Sequence, residues 1–267
     1  MRKERLVTRF EVVYVCAEPA LSPLYSMVRR RLHSLLKIPG EESPELLDVG
    51  GRKSHYTIAL PARVTVTDLP RRSALQEGLN LGVTDAMAQQ LRTRRSNICR
   101  VLLDDMTRSA LSDSAFDCVV AVEVIEHVAD DEGFIREIHR VLKPGGWFLA
   151  TTPNGDWKSN TNPDHKRHYR RAELHELLSR HFPIVDVGYA IRDGLFHRVG
   201  LRSWSVRRPL HTAAGMAANL LNGLQSRRPG ITAQAVGTCH LIATTRKGET
   251  DSVDQASRAG AICESWG

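Results

Sequence analysis

FDCVVAVEVIEHVADDEGFIREIHRVLKPGGWFLATTPN, residues Phe116 to Asn154, decides the fold of this chain. Its opening, Asp117–Val122, is a near-continuous apolar run, the pattern of a parallel strand buried on both faces. An acidic turn follows. Phe134, Ile135, Ile138, Val141 and Leu142 then recur along one face of a helix that Pro144-Gly145 should terminate. Trp147–Thr151 predicts the next strand, ending in a polar Thr-Thr-Pro-Asn tip. Strands with polar tips alternating with helices define an open parallel sheet whose ligand crevice lies at its carboxyl edge.

The flanking chain extends this pattern in both directions. Leu21, Leu24, Tyr25, Val28, Leu32, Leu35 and Leu36 predict an amphipathic helix over about residues 22–37, broken by Pro39-Gly40. Short strands are expected at Glu45–Val49, Ala62–Thr67 and Ile98–Leu103, with a helix over Asp85–Arg95. Leu174, Leu177 and Leu178 mark another helix, followed by strands at Ile184–Val187 and about His240–Thr245. Residues 190–235 read as an insertion between these last two strands. Within it Leu210, Ala213, Ala214, Ala217, Leu220, Leu221 and Leu224 step at helical intervals, an apolar face expected to pack as core or lid. The organisation is thus an N-terminal helical segment (1–40), a main domain (41–247) and a polar tail (248–267) expected to be disordered.

Composition bounds the function. The formal charge is +7, with small basic groups such as Arg29-Arg30-Arg31 and Arg92/Arg94/Arg95, so either anionic partners or a solvated basic surface is implied. Cys16, Cys99, Cys118, Cys239 and Cys263 are odd in number and share no pair spacing, which argues for a reducing cytoplasm and against a disulfide or zinc framework. With neither a signal peptide nor an apolar stretch of bilayer length evident, a cytoplasmic protein without a transmembrane segment is expected.

Asp48-Val49-Gly50-Gly51 between a strand and a helix, with Asp68 ending the following strand, is the logic of a nucleotide site. Glycine lets the backbone approach the ligand, and an acid some twenty residues on can hold ribose hydroxyls. Arg52 and His55 stand where a dinucleotide fingerprint needs glycine, which counts against a nicotinamide enzyme. Asp105, at the end of the third strand, can accept from an adenine amino group; capping of the following helix is the alternative for each of these acids.

Together with the opening stretch, these residues resemble the class I S-adenosylmethionine-dependent methyltransferases, in their small-molecule type 11 branch. The resemblance covers about residues 45–188. It is carried by Phe116-Asp117, Glu123-Val-Ile-Glu126-His127, Arg140-Val-Leu-Lys-Pro-Gly-Gly146, Thr151-Thr-Pro-Asn154 and His165-Lys-Arg-His-Tyr169. It implies an α/β fold: a Rossmann-like, doubly wound, seven-stranded, mostly parallel sheet with the last strand antiparallel, plus an N-terminal helix and a helical insertion before the last strand. It implies S-adenosylmethionine as cofactor, bound by Asp48, Gly50, Gly51, Arg52, Asp68, Leu69, Asp105, Met106 and Glu123. Glu126, His127, Asn154, Arg167 and Tyr169 are then expected on the acceptor side. His127 is the candidate base, with His165 and His168 as further catalytic candidates; no metal site is expected.

The family's glycine turn runs Asp-x-Gly-x-Gly-x-Gly, whereas this chain has Arg52 and Ser54 at the second and third glycine positions. A left-handed backbone at either would cost about 1–2 kcal/mol, so the turn is expected to take another path. Arg52 or Lys53 then either pairs with the cofactor carboxylate or points to solvent. The expected activity is methyl transfer, O-methylation of a small molecule or sugar acceptor. The alternatives are a catalytically inactive binding module, suggested by the altered turn, and a nucleic-acid methyltransferase, suggested by the basic surplus. Nucleic acid is not the expected partner. The acceptor and the oligomeric state are not encoded in these motifs.

Overall fold

The computed structural model describes residues 7–38, 40–41, 43–69, 83–200 and 208–249. Seven strands form one sheet: β1 (Glu45–Val49), β2 (Arg63–Asp68), β3 (Ile98–Leu103), β4 (Phe116–Val122), β5 (Leu142–Pro153), β6 (Ile184–Arg192) and β7 (Thr238–Arg246). Their order is β3-β2-β1-β4-β5-β7-β6. The first five pair in parallel, and β7 runs antiparallel between β5 and β6. The expected sheet and its antiparallel last strand are therefore present.

Alternation along the central strands builds a core on each face of the sheet. Leu47, Val119 and Ala121 face one cluster, with Phe134, Ile135 and Ile138 from the helix Asp131–Val141. Leu46, Cys118 and Val120 face the other, with Leu24, Val28 and Leu32 from the helix Pro23–Leu35. In chain order the helices are α1 (Arg9–Ala17), α2 (Pro23–Leu35), α3 (Asp85–Arg94), α4 (Asp131–Val141), α5 (Arg171–Ser179), α6 (Leu195–Val199) and α7 (Pro209–Gln225).

The register aligns the tips that carry the predicted acids. Val49 pairs with Thr67 and Ala121, Asp68 with Leu103, and Val122 with Thr151. Chain direction reverses outward from β1 and β4, which is where an open α/β sheet binds its ligand.

Two local expectations are corrected and one is extended. Pro144-Gly145 does not end α4, because β5 begins directly at Leu142. The turn residues instead form an irregularity where the β4–β5 register shifts, with Gly145 at φ +72°. Within the N-terminal segment expected to be helical, where only the helix over about residues 22–37 was delimited, α1 is a further helix. A capping box starts it: Thr8 Oγ1 accepts from Glu11 N at 3.2 Å, and Glu11 Oε2 accepts from Thr8 N at 2.8 Å. Glu11 is fully buried, and its other oxygen accepts from Ser96 N at 2.9 Å and Ser96 Oγ at 3.0 Å.

The second correction concerns α7. All seven residues of its predicted packing face, Leu210 to Leu224, are exposed, while Gly215, Ala218, Asn219 and Asn222 are buried. Polar capture decides this rotation. Asn219 Nδ2 donates to the carbonyls of Ala20 and Leu21, and Asn222 Nδ2 to Arg192 O at 2.8 Å, tying the insertion to the N-terminal segment and β6. Such buried amides would cost about 1–3 kcal/mol each if left without partners.

At the other end, Lys247 is buried and donates to His139 O and Leu142 O at 2.9 and 3.0 Å. The rest of the expected tail, residues 250–267, lies outside the described residues, as do residues 201–207 of the insertion. Among the described residues no helix is long and apolar enough to cross a membrane.

Candidate active site

The turn after β1 takes a path without left-handed strain at the substituted positions. Only Gly50 is left-handed, at φ +67°; Gly51–Lys53 form a 3-10 turn, and Ser54 is extended at φ −68°. A Cβ on Gly50 would lie 2.9 Å from Val124 Cγ2, so the turn touches the segment after β4. A Cβ on Gly51 would overlap the Asp48 carboxylate. Both glycines are thus required by close approach.

Asp48 is drawn inward. Its carboxylate is fully buried and accepts from Ser54 Oγ, from Tyr56 OH at 2.9 Å and from Thr57 Oγ1 at 3.0 Å. Burial raises its pKa, while Ser54, Arg95, Tyr56 and Thr57 pull the other way. Arg95, only 3% exposed, reaches this network by donating to Thr57 Oγ1 and, at 2.9 Å, to Ser54 O. The serine that replaces a family glycine therefore closes a buried polar network around Asp48. Arg29 backs the same turn by donating to Tyr56 O at 3.4 Å and to Ile58 O. Two members of the supposedly solvated basic groups are interior residues.

Asp68 stands at the tip of β2, and Arg52 Nε lies 3.9 Å from its Oδ2, with both side chains largely buried. Leu69 beside it is 48% exposed. Asp105 is exposed. Its Oδ1 accepts from Thr107 N at 3.0 Å and Thr107 Oγ1 at 2.8 Å, which lowers its pKa. Met106 is buried in the core below it.

Beyond β4, Glu123 holds a left-handed backbone at φ +56°, a strained state for a non-glycine residue that often marks a functional turn. Its Oε1 faces Thr151 Oγ1 at 2.9 Å and His240 Nδ1 at 3.2 Å. Burial alone would raise this carboxyl's pKa, but His240 and Thr151 outweigh burial and hold it below the usual range.

Glu126 is the converse. It is fully buried, and neither oxygen accepts a hydrogen bond within the described residues. Burial, then the charge of Glu123, pushes its carboxyl up to about 9 against smaller opposing effects that include Thr152. A proton held more tightly in the folded state stabilises most below the unfolded pKa, and that stability is lost as pH rises through the folded one. In chelator-treated protein, Glu126→Gln is expected to raise stability at about pH 8 by roughly 1–3 kcal/mol and to leave it unchanged at about pH 4. Urea melts at both pH values check this, and equal shifts at both would contradict it.

His127 and His165 sit beside Glu126, one ligating atom from each of the three lying within 4.8 Å of the others. His127 Nδ1 is 3.2 Å from Asp164 O, and His165 Nδ1 is 2.7 Å from His168 Nε2. Lys166 N donates to Glu126 O at 2.7 Å and docks this histidine loop onto the segment after β4. The pKa of His165 is lowered, by burial first and then by the neighbouring His127 and His168.

The remaining acceptor-side residues are placed differently. Asn154 is fully buried, and its amide donates to Ala235 O, Thr238 O and Thr238 Oγ1 at 2.9–3.2 Å, so it clamps the end of β5 to the entry of β7. Arg167 Nη1 and Tyr169 OH both reach Asp131 Oδ2 at 2.7 Å, fastening the loop to the start of α4. A groove of about 690 Å³ beside these two residues runs between α4 and α5, away from the β1–β3 tips.

Sequence reasoning missed Tyr56, Thr57, Arg95, Thr151 and His240. Thr151 had a signal in the polar strand tip Thr151-Thr-Pro-Asn154, and His240 in its position on the last strand. The antiparallel register puts it opposite Pro153 and Ala190, and hence beside Glu123.

Residues 47–150 match the family model described as Methyltransferase domain. This stretch is therefore similar to the S-adenosylmethionine-dependent methyltransferases. The chain is 33% identical over 149 residues to a Mycolicibacterium smegmatis protein named as a "Probable S-adenosylmethionine-dependent methyltransferase", covering 53% of each. It is 32% identical over 130 residues to the ubiquinone biosynthesis O-methyltransferase of Caulobacter vibrioides, covering 44% of each. The chain thus spans about half the length of these curated relatives. A solved S-adenosylmethionine-dependent methyltransferase from Archaeoglobus fulgidus shares the fold at TM-score 0.50 and 15% identity, over 84% of this chain and 94% of that one.

Proposed function

We propose that this protein transfers the methyl group of S-adenosylmethionine to a hydroxyl of a small molecule. The observation that carries the reading is the convergence of the bare Gly50–Gly51 turn, Asp68 and the Glu123–His127 segment at one sheet edge, inside the stretch that matches the methyltransferase domain. The glycine turn lets the methionine part of the cofactor lie against backbone. Asp68, with Arg52 beside it, would accept from the ribose hydroxyls, and Asp105, Leu69 and Met106 would line the adenine side. Asp48 shapes the turn from within.

The cofactor supplies a methyl group activated by sulfonium charge, so much of the rate comes from alignment and exclusion of water. With the acceptor oxygen held beside Glu126, the cofactor would supply its methyl carbon for the new carbon–oxygen bond and be released as S-adenosylhomocysteine. His127 or His165 would take the hydroxyl proton. An O-methyltransferase among the relatives supports the choice of acceptor atom. Formation of S-adenosylhomocysteine over a panel of phenols, sugars and alkyl alcohols tests the reading. Turnover with amine or thiol acceptors alone would contradict it.

The inward Asp48 and the Arg52–Asp68 pair favour one second reading, an inactive binding module. Cofactor titration separates the two.

A further inference from the structure

Hydrogen bonds around Glu126 determine where the protons sit on three histidines. A main-chain carbonyl can only accept. Lys158 O faces His168 Nδ1 at 3.1 Å, so that nitrogen carries the proton and Nε2 of the neutral ring is an acceptor. That Nε2 lies 2.7 Å from His165 Nδ1, which must therefore donate, leaving the lone pair of His165 on Nε2. Asp164 O likewise fixes the His127 proton on Nδ1 at 3.2 Å and leaves Nε2 as its lone-pair atom. Both rings accordingly present an unprotonated nitrogen, each oriented by an outer hydrogen bond. Metal-binding histidines are held in this way.

Glu126 completes the set with a fully buried carboxyl group whose oxygens accept no hydrogen bond among the described residues. Two lone-pair imidazoles and a buried acid able to exchange its proton for a cation together suit a centre of positive charge. Ligating atoms of the three residues lie within 4.8 Å of one another. Donors bound at about 2.1 Å to a common ion sit roughly 3–4 Å apart, so side-chain rotation suffices to close the site. His127 is exposed, which leaves coordination positions open towards solvent. Two imidazoles and one carboxylate suit first-row divalent ions rather than the all-oxygen preference of magnesium.

We propose that Glu126, His127 and His165 bind a first-row divalent cation such as Zn²⁺ or Mn²⁺ beside the acceptor position, with His168 as a positioning residue for His165. A second group, Asp193, His197 and Cys239, is a weaker candidate because Lys158 Nζ already pairs with Asp193 at 2.5 Å. The cation's role towards the acceptor rests on the proposed methyl transfer: an open position would take the hydroxyl and ease loss of its proton. The two rings would then be ligands, and the proton would leave to solvent. The cation site itself does not depend on that reaction.

The test uses the full chain after chelator treatment, titrated with Co²⁺ by visible absorption and with Zn²⁺ and Mn²⁺ by calorimetry. One equivalent is expected to bind saturably. Glu126→Gln and His165→Gln should each weaken binding at least about tenfold, and His168→Gln by about 10–100-fold, with circular dichroism confirming the fold of each. No saturable uptake by the native chain, or uptake unchanged in both Glu126→Gln and His165→Gln, would overturn the site. Cation uptake without methyl transfer to any hydroxyl would overturn the proposed reaction and leave the site standing.

Discussion

Arg95→Met is expected to cost the fold about 3–5 kcal/mol, the largest single effect among side chains at the altered turn. The guanidinium is buried and links Ser54 and Thr57, two of the donors to the buried Asp48 carboxylate. Methionine keeps the volume but removes the charge that offsets the desolvated acid. The urea midpoint at neutral pH measures the loss. Asp48→Asn added to Arg95→Met should recover part of it, because the amide has no charge to leave uncompensated. A loss below about 1 kcal/mol, or strict additivity in the double variant, would show that the network is not coupled through charge.

Asp68→Ala is expected to lower affinity for S-adenosylmethionine by about 100–10,000-fold. Two ribose hydroxyls donating to one carboxylate contribute about 1.5–3 kcal/mol each, which converts to that range. Asp68 stands at a strand tip with its side chain 17% exposed, so the substitution leaves the core intact and the loss reads binding. Arg52 sharpens the measurement. Its Nε is 3.9 Å from Asp68, and if it merely holds the acid, Arg52→Met should weaken binding about tenfold. If instead it blocks the ribose position, Arg52→Met should strengthen binding. Calorimetry on the three proteins separates these outcomes.

What was legible in the sequence was set by short-range pattern. Short runs rich in aliphatic residues at Glu45–Val49 and Ile98–Leu103 predicted β1 and β3 to the residue, although β3 lies at the sheet edge with Cys99, Arg100 and Leu103 exposed. The acids at strand tips were legible because one sheet edge collects them. Asp48 was not. Its inward turn depends on Tyr56, Thr57 and Arg95, and Arg95 arrives from the end of α3. The face of α7 was inverted for a related reason. Hydrophobic periodicity favoured the leucines, yet two asparagines found backbone partners on distant segments and fixed the rotation. The histidine cluster shows the same limit. The sequence shows three nearby ring residues, but only hydrogen bonds to Lys158 O and Asp164 O reveal which nitrogens stay unprotonated.

The central claim is that a turn with two of its usual glycines replaced still binds the methyl donor. Isothermal titration of the native chain with S-adenosylmethionine tests it most directly. Saturable binding of one equivalent, lost in Asp68→Ala, is the predicted result. No heat up to millimolar ligand, with the chain folded by circular dichroism, would contradict it.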